Sequence, residues 1–516
     1  MTPFLEAIGI DKIYPGGVHA NKGIDLSVAH STVHAVVGEN GAGKSTLMKI
    51  LFGVEQPNAG EIRLEGQPIV LHSPRAAIAA GIGMVFQHFS LVPSFTVAEN
   101  VVLGVEPRAG LKLDRKKASE TVRELAERFR LPVDVDVPVE QLPVGQQQRV
   151  EILKALYRDA RLLILDEPTA VLAPQEVVEL FAAVRSLTSQ GRTILFIAHK
   201  LPEVLEISDT ISVMRAGKMV GTVAAKEATE KSLARMMVGR DVALKINRAA
   251  PGIPHTHLCR ISDLTVKNDH GLNAVSDVNL VLRTGEIVGI AGVEGNGQSE
   301  LFDAIGGLRP ISGGSVELGT TDITHVSVLE RRAAGMANIP EDRIATGSAG
   351  GATVAENIVA TELTDKRFVR HGLLDLKSIR DHAAKLIEKF SVRVQGPESA
   401  IGTLSGGNMQ KVVVARELSS EPSLLLVSHP TRGVDLGATE FIWQNIAKAR
   451  DAGAAVLLTS ADLSEILALA DRMIVLYRGR IVAAFVNTEE VTPEVLGSYM
   501  LGFAEQSAEE RNAALA

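Results

Sequence analysis

The chain has 516 residues, room for roughly three domains at about 150 residues each. With 46% hydrophobic and 22% charged residues it is not a mostly disordered protein. Its net charge of −8, from 53 basic and 61 acidic residues, makes nucleic acid an unexpected partner. A single cysteine, Cys259, excludes a disulfide framework, fits a reducing compartment and reads as a small buried hydrophobe. The start of the chain lacks a basic stretch followed by an apolar run, and no window holds about 18 uninterrupted apolar residues, so neither a signal peptide nor a membrane span is expected. Aromatics are scarce at 4%, which argues against base-stacking surfaces.

The first chemically informative element is a short apolar strand at 34–37, running into Gly-Glu-Asn-Gly-Ala-Gly-Lys-Ser at 38–45 and a helix over 45–52. Gly38-x-x-x-x-Gly43-Lys44-Ser45 is a phosphate-loop pattern. Its glycines let backbone N–H groups converge on phosphate oxygens, and the helix that follows points its positive end at them. Lys44 would reach the β- and γ-phosphates, and Ser45 would ligand Mg²⁺. Further on, Leu-Leu-Ile-Leu at 162–165 reads as a strand covered on both faces. It delivers Asp166 and Glu167 at its end, one carboxylate to hold Mg²⁺ through water and one to polarise an attacking water. Helical spacing over 176–190 and another strand over 193–198 continue an alternation that implies a parallel α/β sheet.

The chain then repeats itself. Gly-Val-Glu-Gly-Asn-Gly-Gln-Ser at 292–299 echoes the phosphate loop, with Gly295 answering Gly41. The pairs Ala20/Ala274 and Gln87/Glu341 keep that offset. Leu-Pro-Val-Gly-Gln at 142–146 answers Leu-Ser-Gly-Gly-Asn at 404–408, and Asp166-Glu167-Pro168-Thr169 answers Ser428-His429-Pro430-Thr431, at a second constant offset. About eight extra residues therefore lie between Glu341 and Leu404 in the second copy. The expected organisation is a first cassette at 1–241, a linker punctuated by Pro251, Gly252 and Pro254 at 242–257, a second cassette at 258–503, and a frayed polar tail at 504–516.

Leu404-Ser405-Gly406-Gly407-Asn408 resembles the signature motif of ATP-binding cassette (ABC) ATPases, and the resemblance covers essentially the whole chain. It implies an α/β fold of two tandem P-loop ABC ATPase cassettes, each with a mostly parallel core sheet and a helical subdomain. Gln87 sits at the Q-loop position, His199 at the switch-histidine position, and Tyr14 where an aromatic stacks on adenine. The weight rests on the ordered set Tyr14, Lys44, Gln87, Gln146, Glu167 and His199, since each alone is usually surface or core. The resemblance assigns catalysis to Glu167, His199 and Gln87, and Mg²⁺ to Ser45, Gln87 and Asp166. ATP falls to Tyr14, Gly38, Asn40, Gly41, Gly43, Lys44, Ser45 and Thr46, with Ser405, Gly406, Gly407 and Asn408 supplied in trans. Thr431 to Asp435 of the second copy would face the same site.

The other composite site is damaged at every element. Gln298 replaces the lysine, Ser428 and His429 replace the carboxylates, and Ala461 replaces the switch histidine. Glu341 stands at the Q-loop position and Asn268 at the adenine-stacking position. Pro143 spoils the first copy's signature, and Ala173 replaces its trans aspartate. Gly295, Gly297 and Ser299 keep part of the phosphate nest. A metal site from His429, His255, His257 and His270 fits no standard ligand spacing.

Two fused cassettes without spanning segments resemble the ATPase subunit of simple-sugar and nucleoside importers. The stretches at 83–88, 153–157 and 339–343 carry this, the first two lying closer to the nucleoside type. The resemblance implies two integral-membrane permease subunits, an extracytoplasmic solute-binding protein acting through them, and a place on the cytoplasmic face of the membrane. A twin-cassette ATPase acting on ribosomes or nucleic acid would carry two competent sites and a long charged linker. A regulatory module that binds ATP without turnover would not need Glu167 and His199.

Overall fold

The computed structural model describes residues 2–15, 17–39, 41–86, 89–109, 112–169, 172, 174–198, 200–240, 256–363, 365–370 and 372–515. The chain divides into two compact units, Met1–Val242 and Ala243–Ala516. Most of the expected linker at 242–257 lies outside the described residues, and His257 already opens a strand, His257–Lys267. Among the described residues, no helix is long and apolar enough to cross a membrane.

Among the described residues, the first unit carries two main sheets besides a two-stranded ribbon, Arg108–Ala109 with Lys112–Leu113. One is antiparallel, in the order His19–Val28, Leu5–Ile13, Ala59–Leu64, Gln67–Ile69. The other runs Lys218–Ala224, Thr210–Arg215, Val33–Gly38, Thr193–Ile197, Leu162–Asp166, Ile82–Val85, and is parallel except at its first pair. The continuous apolar runs of sequence become its central strands because both faces are covered. Thr193–Ile197 is buried at every position, and Leu162–Asp166 at every position but its last. Leu162 pairs with Thr193 and Asp166 with Ile197, which fixes where the carboxylates emerge. A helical part follows the edge strand, with helices Val97–Val102, Arg115–Arg128 and Val144–Tyr157.

The second unit repeats the plan. Its antiparallel sheet orders Asn273–Arg283, His257–Lys267, Ile311–Leu318, Thr321–Asp322. Its six-stranded sheet orders Met336–Ile339, Leu424–Ser428, Ala455–Thr459, Ile287–Ala291, Arg472–Tyr477, Arg480–Val486. Thr-Val-Ala-Glu-Asn recurs at 96–100 and 353–357, and each copy opens a helix with a capping box, Thr96/Glu99 and Thr353/Glu356. The asparagine that ends each motif is buried and ties down the loop ahead of the helix. Asn100 brackets Val92 through both its amide atoms, and Asn357 does the same to Ala349.

The tail departs from its expected frayed state. Residues Ala508–Leu515 form a helix that opens on a reciprocal Ser507/Glu510 cap. At its other end the buried Arg472 donates to the carbonyls of Ala514 and Leu515 at 3.3 and 2.8 Å. A guanidinium at a helix C-terminus satisfies carbonyls that have no partner within the helix, and this docking offsets the entropy of ordering a polar tail.

Candidate active site

In the first unit the chain leaves Val33–Gly38 in mid-sheet and turns through left-handed glycines, Gly41 at φ 79° and Gly43 at φ 99°, into the helix Lys44–Leu51. Only glycine serves at 43, because a Cβ there would collide with the Ala20 carbonyl. Gly43 caps the helix without a side-chain acceptor, so the first N–H groups stay available to an anion. Asn21, fully buried, donates to the Gly43 carbonyl at 3.1 Å. The sequence reading passed over Asn21; its signal was its place directly after the repeated Ala20.

Lys44 is buried and folded back on the loop, its Nζ donating to the carbonyls of Gly38 at 2.7 Å and Glu39 at 3.1 Å. Burial pushes its amine below the usual range, while Glu167, Asp166 and Glu39 pull it back up. Asp166 is pushed up to about 6, by burial first and the Glu167 charge second, against the pull of Lys44 and Lys49. The structure thus brings the lysine and both carboxylates into one electrostatic neighbourhood. Glu167 adopts a left-handed backbone, φ 49°, and donates its N–H to the Ile197 carbonyl at 2.9 Å. Tyr14 reaches the same mouth, its hydroxyl 3.5 Å from Thr46 Oγ1. Ser45 is exposed at the start of the helix. Asn40, Gln87 and His199 lie outside the described residues. Ser90, just beyond Gln87, is held at its carbonyl by Lys154 at 2.7 Å and at its N–H by the buried Glu151 at 2.5 Å.

These residues suit a nucleotide with a divalent cation. A buried carboxylate that keeps its proton to about pH 6 is one that a cation would ionise. Among the described residues, no group of three His, Cys, Asp or Glu side chains could hold a metal by itself. The shell would be completed by Ser45, phosphate oxygens and water, the usual arrangement for Mg²⁺.

The second unit keeps the backbone and changes the chemistry. Gly295 and Gly297 are left-handed at φ 90° and 102°, and a Cβ at Gly297 would collide with the Ala274 carbonyl. Gln298 occupies the lysine position, its Nε2 donating to the Val293 carbonyl at 3.1 Å. His429 takes the position of Glu167 with φ 45° and donates its N–H to the Thr459 carbonyl at 2.8 Å. Burial lowers its pKa, with Glu341 opposing.

The signature elements also differ. Ser405 caps the helix Gly406–Ser419, but its Oγ accepts from Asn408 Nδ2 at 2.9 Å and not from the helix N–H groups. The N–H groups of this fourteen-residue helix end remain presented. In the first unit Pro143 caps the helix Val144–Tyr157 and offers neither hydroxyl nor N–H. Asp435 is engaged as the cap of Leu436–Asp451, accepting from the Ala438 N–H at 2.7 Å. Ala173 lies outside the described residues.

A family model described as ABC transporter matches residues 21–170 and 275–432. The nucleoside import ATP-binding protein NupA of Lactococcus lactis is 43% identical over 96% of this chain and 98% of its own length. The guanosine import ATP-binding protein NupO of Bacillus subtilis is 42% identical over 99% and 100%. The glucose import ATP-binding protein TsgD13 of Haloferax volcanii is 44% identical over 98% and 97%. Among solved structures, the complex of archaeal ribosomal stalk protein aP1 with archaeal ribosome recycling factor aABCE1 matches with a TM-score of 0.60 at 20% identity, over 93% of this chain and 90% of that one, a likeness of fold alone.

Proposed function

Because the chain belongs to the ABC transporter family, with two ATP-binding cassettes in tandem, we propose that it is the ATP-hydrolysing, energy-coupling subunit of an importer for nucleosides or simple sugars. The observation that carries the reading is an asymmetry on one backbone. The first unit places Lys44, Asp166 and Glu167 where the second places Gln298, Ser428 and His429, and the glycine loops of both share left-handed turns. One unit has kept the groups of hydrolysis, the other only their scaffold.

In this reading Lys44 neutralises the β- and γ-phosphates, Glu167 polarises the attacking water, and His199 and Gln87 orient the γ-phosphate and the cation. Ser45, Asp166 and Gln87 would hold Mg²⁺, which would supply charge neutralisation at the phosphates. Tyr14 stacks on the base, and Gly38, Asn40, Gly41, Gly43 and Thr46 surround the phosphates. Ser405, Gly406, Gly407 and Asn408 complete this site from the second cassette, an assignment supported by the intact second signature and by Pro143 in the first.

Two integral-membrane permeases are the partners that fit, with the subunit on the cytoplasmic face of the membrane and an extracytoplasmic binding protein delivering substrate. A cleft of about 200 Å³ is lined by Phe52, Met84, Phe86, Ser90, Glu151 and Lys154 among others. It offers an apolar seat with a polar rim to a permease segment. The test is reconstitution with its permeases. ATP turnover should rise when they are present, and Glu167→Gln should stop both turnover and import. Turnover indifferent to the permeases would defeat the reading.

A further inference from the structure

Ile-Pro-Glu-Asp-Arg at 339–343 carries family resemblance, yet hydrolysis as described above gives Arg343 no task. In the second unit this arginine grips another loop. Its Nη1 donates to the Arg432 carbonyl at 2.5 Å and its Nη2 to the Gly433 carbonyl at 3.2 Å. The same guanidinium lies against the signature: a Cβ at Gly406 would stand 2.7 Å from Nη2. One side chain therefore touches the loop at 431–435 and the first residue of the helix Gly406–Ser419.

The grip is reciprocal. The guanidinium of Arg432 pairs with Glu341, two residues before Arg343. Asp342 fixes the turn that carries Arg343, its Oδ1 accepting from the N–H groups of Ile344 at 2.8 Å and Ala345 at 2.9 Å. The ends of the 431–435 loop are anchored elsewhere, Thr431 on Glu465 and Asp435 on its own helix. Its middle carbonyls are the ones that Arg343 holds. At the offset of Gln87 and Glu341, the first unit has Phe89 where the second has Arg343. The arginine fork belongs to the copy that lost its own hydrolytic groups and kept an intact signature.

We propose that Arg343 is a positioning residue for ATP hydrolysis: it locks the segment 341–343, at the Q-loop position, to the 431–435 loop and to the signature at 405–408, so that displacement of the first moves the other two. This rests on the reading above, in which that signature completes the site built on Lys44. A planar fork bonding two successive carbonyls fixes direction as well as distance, which a lysine does not reproduce.

The test uses the full chain with its permeases and compares Arg343→Gln, Arg343→Lys and Ser405→Ala. For Arg343→Gln, kcat should fall about ten- to hundredfold, the order of loss that an ångström of misplacement produces. KM for ATP should stay within about twofold, since Lys44 and its loop are untouched. The melting temperature should stay within about 2 °C. Arg343→Lys should recover only part of the loss. If Ser405→Ala lowers turnover and Arg343→Gln does not, the positioning role is overturned and the composite site stands. If both leave turnover intact, both fall. A matching loss of melting temperature, or a rise in KM as large as the fall in kcat, would assign Arg343 to folding or nucleotide binding and overturn the inference.

Discussion

His429 Nδ1 accepts the backbone N–H of Ala461 at 3.0 Å. The residue at the position of Glu167 is thus bonded to the residue at the position of His199. In the second unit the imidazole of one position takes up the main-chain N–H of the other. On the proposed reading, a contact between these two positions stands in the second unit where the first carries Glu167 and His199.

Replacing Glu167 by Gln should lower turnover about 10²–10⁴-fold, the usual worth of a positioned base, with ATP binding retained. The amide keeps the shape and the left-handed backbone but cannot polarise water. Lys44→Ala should cripple binding and turnover together. Steady-state ATPase and equilibrium nucleotide binding, measured side by side, check both; half-maximal turnover in Glu167→Gln would place hydrolysis elsewhere.

Gln298→Ala should leave turnover within a few-fold of wild type, since its amide only closes the loop on Val293. Gln298→Lys should create no second active site while Ser428, His429 and Pro143 remain. Counting nucleotides hydrolysed in a single turnover checks this. A count that doubles in Gln298→Lys would contradict it.

Ser405→Ala should cost about tenfold or more in kcat, somewhat below the loss of a full oxyanion donor because the helix N–H groups remain. Pro143→Ala should change little. Equal effects from the two would undo the asymmetry between the signatures.

Glu465 gives the fold a pH dependence. It is fully buried, accepts from Trp443 Nε1 at 2.6 Å and Thr431 Oγ1 at 2.8 Å, and burial pushes its carboxyl up to about 7. A carboxyl whose pKa is higher in the folded state adds stability below its unfolded value, and that stability is lost as pH rises toward 7. Glu465→Gln keeps an acceptor for both donors. Its melting temperature should exceed that of wild type at pH 8 and approach it near pH 5. Parallel melting curves across that window would refute the assignment.

Arg472 pairs with the buried Glu286 and holds the tail helix. Arg472→Ala should destabilise by about 3–5 kcal/mol, the cost of stranding a buried carboxylate. Deleting residues 508–516 should cost less, because the ion pair survives. Thermal unfolding of the two variants gives the order; a larger loss on truncation would reverse the argument.

The sequence made the phosphate loop, the buried strands and the two-copy register legible because each is a local pattern of apolar runs and glycines. Leu162 to Leu165 needed no partner to be recognised as a covered strand. The tail helix was missed because its cap, Ser507 and Glu510, is local but its anchor, Arg472, lies far back in the chain. The contacts of Arg343 with Arg432 and Gly433 were invisible for the same reason. The residue types proposed for the site could be listed from the sequence one by one. What packing adds is which groups are already engaged: Asp435 as a cap, Lys44 on its own loop.

Glu167 and His429 share one left-handed backbone conformation, φ 49° and 45°, although one carries a carboxylate and the other an imidazole. Left-handed geometry at a non-glycine residue is commonly taken as a fingerprint of an active site. Here the turn is present with either side chain, and in both units its N–H is bonded to the neighbouring strand, at Ile197 in one and Thr459 in the other. The turn therefore belongs to the architecture that both units share. A duplicated copy can then trade its reactive side chain for another without rebuilding the main chain beneath it.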